Sequence, residues 1–207
     1  MIPPDSPQWI PARVGCLSAS QFWRAVDRLK TGKPSKECIN YMHELVAERL
    51  TNAKINHYVT PAMEHGLQYE AAAAEAYEAL SGNLTASAGW FLHPTIEHFG
   101  ATPDRLLDDD GLVEIKCPTT TTYIAWRRAG VVPQDHVPQM LAQLAVTGRR
   151  YCDFVAYDPR VQDPALRLFV RRFEPTTIQL EVCENEARQF LAEVDALFEA
   201  FTTQAQV

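Results

Sequence analysis

The chain has 207 residues, of which 22% are charged, and a formal net charge of −7, which suits one soluble domain with a sizeable core over residues 1–207. It has no run of 18 or more apolar residues, so no membrane span is expected, and its proline-rich start, MIPPDSPQWIPARVG, lacks a basic-then-apolar signal pattern. Its five cysteines (Cys16, Cys38, Cys117, Cys152, Cys183) are odd in number and never form Cys-x-x-Cys, the six histidines form no His-Glu-x-x-His, and there is no Gly-x4-Gly-Lys-Ser/Thr loop, which excludes a disulfide framework, common zinc sites and an ATP-driven motor and points to a reducing cytoplasm.

In chain order, residues 1–12 read as an extended N-terminal segment. Ser18 or Ser20 can cap a helix running to about Lys30, with Ser18-Ala19-Ser20-Gln21 close to a capping box. Ser35 precedes a second helix, about Lys36 to Thr51, with Ile39, Met42, Leu45, Val46 and Leu50 as its apolar stripe. A third helix starts near Pro61, passes the alanine run Ala71–Ala74 and ends near Leu80, before Ser81-Gly82-Asn83. Strands are expected at about Ser87–Leu92, His98–Pro103 and Leu112–Cys117. Helices follow at about Thr122–Ala129 and Val137–Val146, then strands at Tyr151–Tyr157 and Leu166–Phe173. The last segment, 175–207, reads as a helix opened by Thr176-x-x-Gln179, with Ile178, Val182, Ala187, Phe190, Val194, Leu197 and Phe201 as its apolar positions. The pattern is α/β.

The most informative stretch is Thr102-Pro103-Asp104 followed by Glu114-Ile115-Lys116. Strand side chains alternate between faces, so Glu114 and Lys116 share one face while Val113, Ile115 and Cys117 line the other. Asp108-Asp109-Asp110-Gly111 reads as a turn that folds the chain back and brings Asp104 near Glu114. Two carboxylates are hard oxygen donors suited to Mg²⁺ or Mn²⁺, which polarises a phosphoryl oxygen and acidifies a water. A neighbouring lysine can orient that water or take its proton. The alternative is a surface hairpin with scattered charges, but Leu112, Val113, Ile115 and Cys117 embed Glu114 and Lys116 in an apolar run.

Other residues extend this outline. Glu70 lies one helical turn after Gly66 and can supply a third carboxylate, or be a solvated helix glutamate. Gln139 and Gln143 are four apart on a mostly apolar helix and can reach the water or phosphate, or be surface amides. Arg13 precedes Ser18-Ala19-Ser20, where a guanidinium can fork onto phosphate, or it is simply exposed. The segment Pro11–Lys36 holds six basic residues against Asp27 alone, and from Glu174 onward there are seven acidic residues against Arg188 alone. This asymmetry predicts a positive surface at one end and an acidic outer helix at the other.

The series Arg13-x-Gly15-x-x-Ser18-Ala19-Ser20, Gly66-Leu-Gln-Tyr-Glu70, Thr102-Pro103-Asp104, Gly111-Leu-Val-Glu114-Ile-Lys116-Cys117-Pro118, Gln139 and Tyr157-Asp158-Pro159-Arg160 resembles the lambda exonuclease family. These are phage-type alkaline exonucleases of the PD-(D/E)XK nuclease superfamily. The resemblance spans about Arg13 to Arg160 and implies a restriction-endonuclease-like fold, a central mixed β-sheet flanked by helices. It further implies Mg²⁺-dependent (or Mn²⁺-dependent) 5′-to-3′ degradation of one strand of duplex DNA from an end, a ring-shaped homotrimer, and a single-strand annealing recombinase as partner. Carried over residue by residue, Asp104, Glu114 and the Ile115 backbone carbonyl would hold the metal, and Lys116 would position or deprotonate the water. Glu70 would touch a second metal or its water, and Gln139 would help orient the nucleophile. Arg13, Ser18, Ser20 and Thr102 would bind the 5′-terminal phosphate, Thr102 keeping the hydroxyl of a serine position. An aromatic residue expected about four positions after the glutamine is absent, since Gln143 and Leu144 stand there. The segment between Arg24 and Lys36 does not single out which basic residue contacts DNA. Two rivals share the fold: an endonuclease, which would digest closed circles, and a non-catalytic DNA-end-binding protein, which would bind without metal-dependent product.

Overall fold

The computed structural model describes residues 1–55, 58 and 60–204. In chain order its strands are Leu17–Ser18 (β1), Thr85–Ser87 (β2), Phe91–Leu92 (β3), Phe99–Ala101 (β4), Arg105–Leu107 (β5), Gly111–Lys116 (β6), Tyr151–Tyr157 (β7) and Leu168–Phe173 (β8). The α-helices are Phe22–Ala25 (α1), Lys36–Thr51 (α2), Pro61–Ser81 (α3), Thr120–Ala129 (α4), Val137–Thr147 (α5) and Thr177–Gln204 (α6). The main sheet has the order β2-β5-β6-β7-β8 and is antiparallel except where β6 meets β7 in parallel. A parallel pair needs a long crossover, and α4 and α5 supply it. A smaller sheet has the order β1-β4-β3.

Strand alternation decides the layers. Val113, Ile115, Val155 and Tyr157 face α3, which packs on them through Ala73, Ala74 and Tyr77. Leu112, Cys152, Phe154 and Ala156 face the other way, onto Tyr123 of α4 and Met140 and Leu144 of α5. The opposite side of α5, with Ala142, Ala145 and Val146, joins α2, α6 and the small sheet around Tyr41, Leu45, Phe99 and Phe190. The helix ends follow local chemistry. Ser35 Oγ accepts from Cys38 N at 3.1 Å to start α2. Thr176 and Gln179 exchange bonds, Thr176 N to Gln179 Oε1 at 2.9 Å and Gln179 N to Thr176 Oγ1 at 3.2 Å, ahead of α6. Among the described residues no helix is long and apolar enough to cross a membrane.

Several expectations need correction. The first helix stops after one turn, at Ala25, rather than near Lys30. Ser35 N and Ser35 Oγ both donate to Asp27, and Leu29 N bonds Lys33 O at 2.8 Å, so the chain turns back on itself before α2. Ser18 caps nothing with its side chain and lies in β1. Residues 1–12 are not extended: Ile2 bridges Trp90, and turns and a 3-10 helix at Pro11–Arg13 follow, since prolines at 3, 4, 7 and 11 supply no N–H for a ladder. The strand expected at 87–92 is two strands in different sheets. The buried stripe of α2 is Cys38, Tyr41, Met42, Leu45, Val46 and Glu48, leaving Ile39 and Leu50 exposed. In α6, Ile178, Val182 and Phe201 are exposed, and Cys183, Ala187, Phe190, Leu191 and Val194 face the core. Residues 205–207 of the expected C-terminal helix lie outside the described residues.

Candidate active site

The hairpin β5–β6 aligns the acids. Arg105 pairs with Val113, so Asp104, one residue earlier, reaches the level of Glu114. Asp104 Oδ2 accepts from Ile115 N at 2.6 Å, which fixes the aspartate against the end of β6. Asp108, at positive φ, accepts from Asp110 N at 2.9 Å and Gly111 N at 3.1 Å, closing the turn foreseen at Asp108–Gly111. Glu114 is fully buried and points with Lys116 towards α5. Its Oε1 accepts from Lys116 Nζ and from Gln139 Nε2 at 2.7 Å, and its Oε2 from Gln143 Nε2 at 2.6 Å. Gln143 is therefore not a surface amide but a wholly buried one.

A cleft of about 490 Å³ opens over this end of the sheet. Glu70, Asp104, Ile115 and Lys116 line it, with Met63 and Leu67 from α3 and Trp126 from α4 on its walls. Glu70 is thus in the cleft, 3.7 Å from Arg105 Nη2. Its neighbour Gly66 faces the same space. Trp126, absent from the sequence-based set, is held by edge contacts to His136 and Phe154. A lone tryptophan on a short helix carried no signal by which to find it. Behind the cleft, Asp158 Oδ1 accepts from Arg160 N and Nε, and Arg160 Nη2 reaches Pro118 O at 2.5 Å. The Tyr-Asp-Pro-Arg run thereby braces the loop that follows Lys116.

The electrostatics reflect crowding of like charge. Burial, and then the adjacent Glu114, hold the Asp104 carboxyl well above its usual range, against the opposing pull of Lys116. Burial pulls the Lys116 ammonium down, but Glu114 and Asp104 outweigh it and leave its pKa above the ordinary lysine value. Cys117, also lining the cleft, is pushed up to about 11 by burial and then by Glu70 and Asp104, so it stays a thiol. Among the described residues no three of His, Cys, Asp and Glu close on one point. The donors available for a cation are the hard oxygens of Asp104 and Glu114, a set that leaves room for water, as Mg²⁺ prefers.

Arg13, Ser18, Ser20 and Thr102 do not line this cleft; Ser18 lies in the adjoining small sheet, and Arg13, Ser20 and Thr102 lie outside its strands. Ser18 pairs with Gly100, two residues before Thr102, and the chain passes from there through Pro103 to Asp104. Ser18 Oγ and Ser20 Oγ are 3.3 Å apart. The Arg13 guanidinium lies 4.8 Å from the Trp9 ring and 5.3 Å from the Trp90 ring, with burial lowering its pKa. Arg13 Nε and Thr102 Oγ1 are buried without hydrogen-bond partners among the described residues. Glu48 holds the Arg13 loop, accepting from Gly15 N at 2.9 Å, Ile55 N at 3.1 Å and Lys54 Nζ at 2.8 Å. A buried glutamate in an amphipathic helix left no mark in the sequence pattern.

A mixed sheet whose central hairpin sets an aspartate and a lysine in one cleft, with a buried glutamate bonded to that lysine, defines a nuclease with the PD-(D/E)XK fold. The chain belongs to the YqaJ-like viral recombinase domain family, whose model matches residues 8–150. It is 35% identical to an alkaline exonuclease (LHK-Exo) from Laribacter hongkongensis, with a TM-score of 0.88 over 97% of this chain and 98% of that one. The structure of LHK-Exo in complex with dAMP matches with the same identity and TM-score. A phage-related exonuclease from Haemophilus somnus 129PT, 12% identical, shares the fold with a TM-score of 0.67 over 90% of this chain and 96% of that one. No curated protein matches the chain. Membership of this family makes the protein an exonuclease that acts on DNA.

Proposed function

We propose that this chain, as a single nuclease domain, degrades one strand of linear duplex DNA in the 5′-to-3′ direction from a 5′-phosphorylated end, in a reaction dependent on Mg²⁺ or Mn²⁺. The observation that carries this reading is the cleft lined by Asp104, Lys116 and Glu70, with the buried Glu114 bonded to Lys116. Ionised together, Asp104 and the buried Glu114 outweigh the one neighbouring ammonium in charge, which suits a divalent ion. When bound, such an ion acidifies a water and offsets charge on the phosphoryl oxygens. Asp104 and Glu114 would hold it, with the Ile115 carbonyl and Glu70 contributing. Lys116, kept charged by its two acidic neighbours, orients the attacking water and steadies the phosphoryl oxygens. Gln139, bonded to Glu114 and 3.5 Å from Lys116 Nζ, fixes both. The complex of LHK-Exo with dAMP agrees with a mononucleotide product.

Arg13, Ser18, Ser20 and Thr102 would bind the terminal phosphate. A terminal phosphate carries more charge than an internal diester, so it selects an arginine pocket, and the unpartnered Arg13 Nε and Thr102 Oγ1 support that use. The remaining 3′ strand would serve recombination by annealing in the cytoplasm, with a single-strand annealing protein as partner and a homotrimer as the working form.

End-labelled duplex, digested with and without Mg²⁺ and bearing 5′-phosphate or 5′-hydroxyl ends, tests catalysis, polarity and end recognition together. Loss of 5′ label first, metal dependence and preference for phosphate are expected. Digestion from the 3′ end, or equal activity in EDTA, would contradict the reading. Lys116→Ala should reduce turnover by about 10²–10⁴-fold while DNA is still retained in a gel-shift assay; near-normal cleavage would remove Lys116 from the chemistry.

A further inference from the structure

Gln143 is the buried polar residue beside the site that the proposed chemistry leaves without a part. It is 1% exposed and donates Nε2 to Glu114 Oε2 at 2.6 Å. Gln139, one turn earlier on α5, and Lys116 both donate to the other oxygen, Oε1. The two carboxylate oxygens therefore differ. Oε1 is held by half-exposed groups at the cleft end of β6, and Oε2 by a buried amide behind it. A second observation concerns the rest of that amide: Gln143 Oε1 is buried with no hydrogen-bond partner among the described residues. An orphaned buried acceptor is unfavourable, and an apolar side chain would fill the same space on a helix otherwise packed by Met140, Leu144 and Val146 without it. What the amide gains at this place is the bond from its Nε2 to Glu114.

We propose that Gln143 is a positioning residue for Glu114: by anchoring Oε2 on the buried side it fixes the plane of the carboxylate and presents Oε1 to a divalent cation. The terminal torsion of a glutamate is broad and two-fold, so an unanchored carboxylate samples orientations that do not face the cation. The proposal rests on the reading of Asp104 and Glu114 as cation ligands. It belongs to this chain's own departure at the position four residues after Gln139.

Mn²⁺ binding measured by calorimetry without DNA, on wild type, Gln143→Met, Glu114→Gln and the double variant, tests it alongside cleavage over a Mn²⁺ series. Gln143→Met should weaken Mn²⁺ binding by about 10–100-fold and raise the Mn²⁺ concentration for half-maximal cleavage in parallel, with kcat recovered at saturating Mn²⁺. In the Glu114→Gln background the same change should have no effect. Unaltered Mn²⁺ affinity, an equal loss with and without Glu114, or a kcat that stays low at saturating Mn²⁺ would each overturn the assignment. Should Gln143→Met not fold, Gln143→Asn, whose amide falls one methylene short of Glu114, carries the same expectations. Wild-type protein that binds no Mn²⁺ and cleaves equally in EDTA would instead overturn the metal reading itself, and the wild-type arm tells the two failures apart.

Discussion

Asp104 and Glu114 crowd two carboxylates around one ammonium, and the fold carries the cost of that arrangement when no cation is bound. The Asp104 pKa is raised above its ordinary 3.8, first by burial and then by Glu114. The folded protein therefore keeps this proton to higher pH than the unfolded chain does. The stability so supplied is complete below pH 3.8 and is lost as pH rises through the raised value. Asp104→Asn removes the charge and keeps an oxygen to accept from Ile115 N. It should raise the metal-free melting temperature at pH 7, by about 2–4 °C for each kcal/mol relieved, while abolishing cleavage. A lower melting temperature than wild type in EDTA would show that the carboxylate is not strained. The acids and the lysine were legible because Asp104, Glu114 and Lys116 interrupt an apolar run at strand spacing. Gln143 was not, because an amide four residues after another fits a solvated helix face as well as a buried one until β6 is set against it.

The small sheet shows how closely the elements approach. Gly100, in β4, pairs with Ser18 of β1 and Leu92 of β3. A Cβ added there would sit 2.2 Å from the Trp90 ring and 2.7 Å from Phe91 O. Trp90 is buried and has no room to retreat. Gly100→Ala should therefore destabilise the protein by about 1–3 kcal/mol, read as a shift in urea midpoint. It should also loosen the strand that leads through Thr102 to Asp104. Retained stability would mean that Trp90 repacks freely. Long elements with one clean period, α2, α3, α6 and β7, were visible in the sequence. β1 and β5 were not: each is two or three residues long, too short to show alternation, and exists because a neighbouring strand is there to pair with. The overlong first helix failed for a related reason. Arg24, polar and expected at the surface, is turned inward over the Tyr41 ring and clasped by Glu44 at 2.8 Å, and the turn after it is tied to Asp27.

Over the whole molecule, the basic segment near the start of the chain touches the acidic last helix. Arg28, from the basic segment, forms a two-bonded pair with Glu193 of the acidic helix α6, and Arg49 meets Asp195 at 2.5 Å. Arg28 thus ties the basic segment to the acidic last helix, each such pair contributing about 0–1 kcal/mol at partly exposed sites. His93 joins the small sheet to α6 in a different way. Its Nδ1 accepts from Thr95 N at 3.2 Å and Ile96 N at 3.0 Å, its ring stacks on Phe99, and Nε2 lies 3.6 Å from Glu184 Oε1. Burial lowers its pKa below 6.5 despite Glu184, and burial followed by Lys116 lowers that of His136. Their stabilising contribution is present above pH 6.5 and is lost as pH falls through the lowered values. Melting temperature should thus decline from pH 6.5 towards pH 5, most cleanly in Asp104→Asn, where the opposing carboxyl is gone. His93→Asn, with an oxygen to accept the same two amides, should flatten the decline; an unchanged slope would clear His93 of it.

From the sequence alone came the α/β class, the turn at Asp108–Gly111, the acidic pair with its lysine, and the family resemblance, because these depend on local periodicity, turn residues and the order of short motifs. Tertiary structure decided which face of α2 and α6 is buried, that Gln143 and Glu48 are interior, and that basic and acidic segments meet. Burial and charge pairing are set by what packs opposite a residue, and that partner lies far away along the chain.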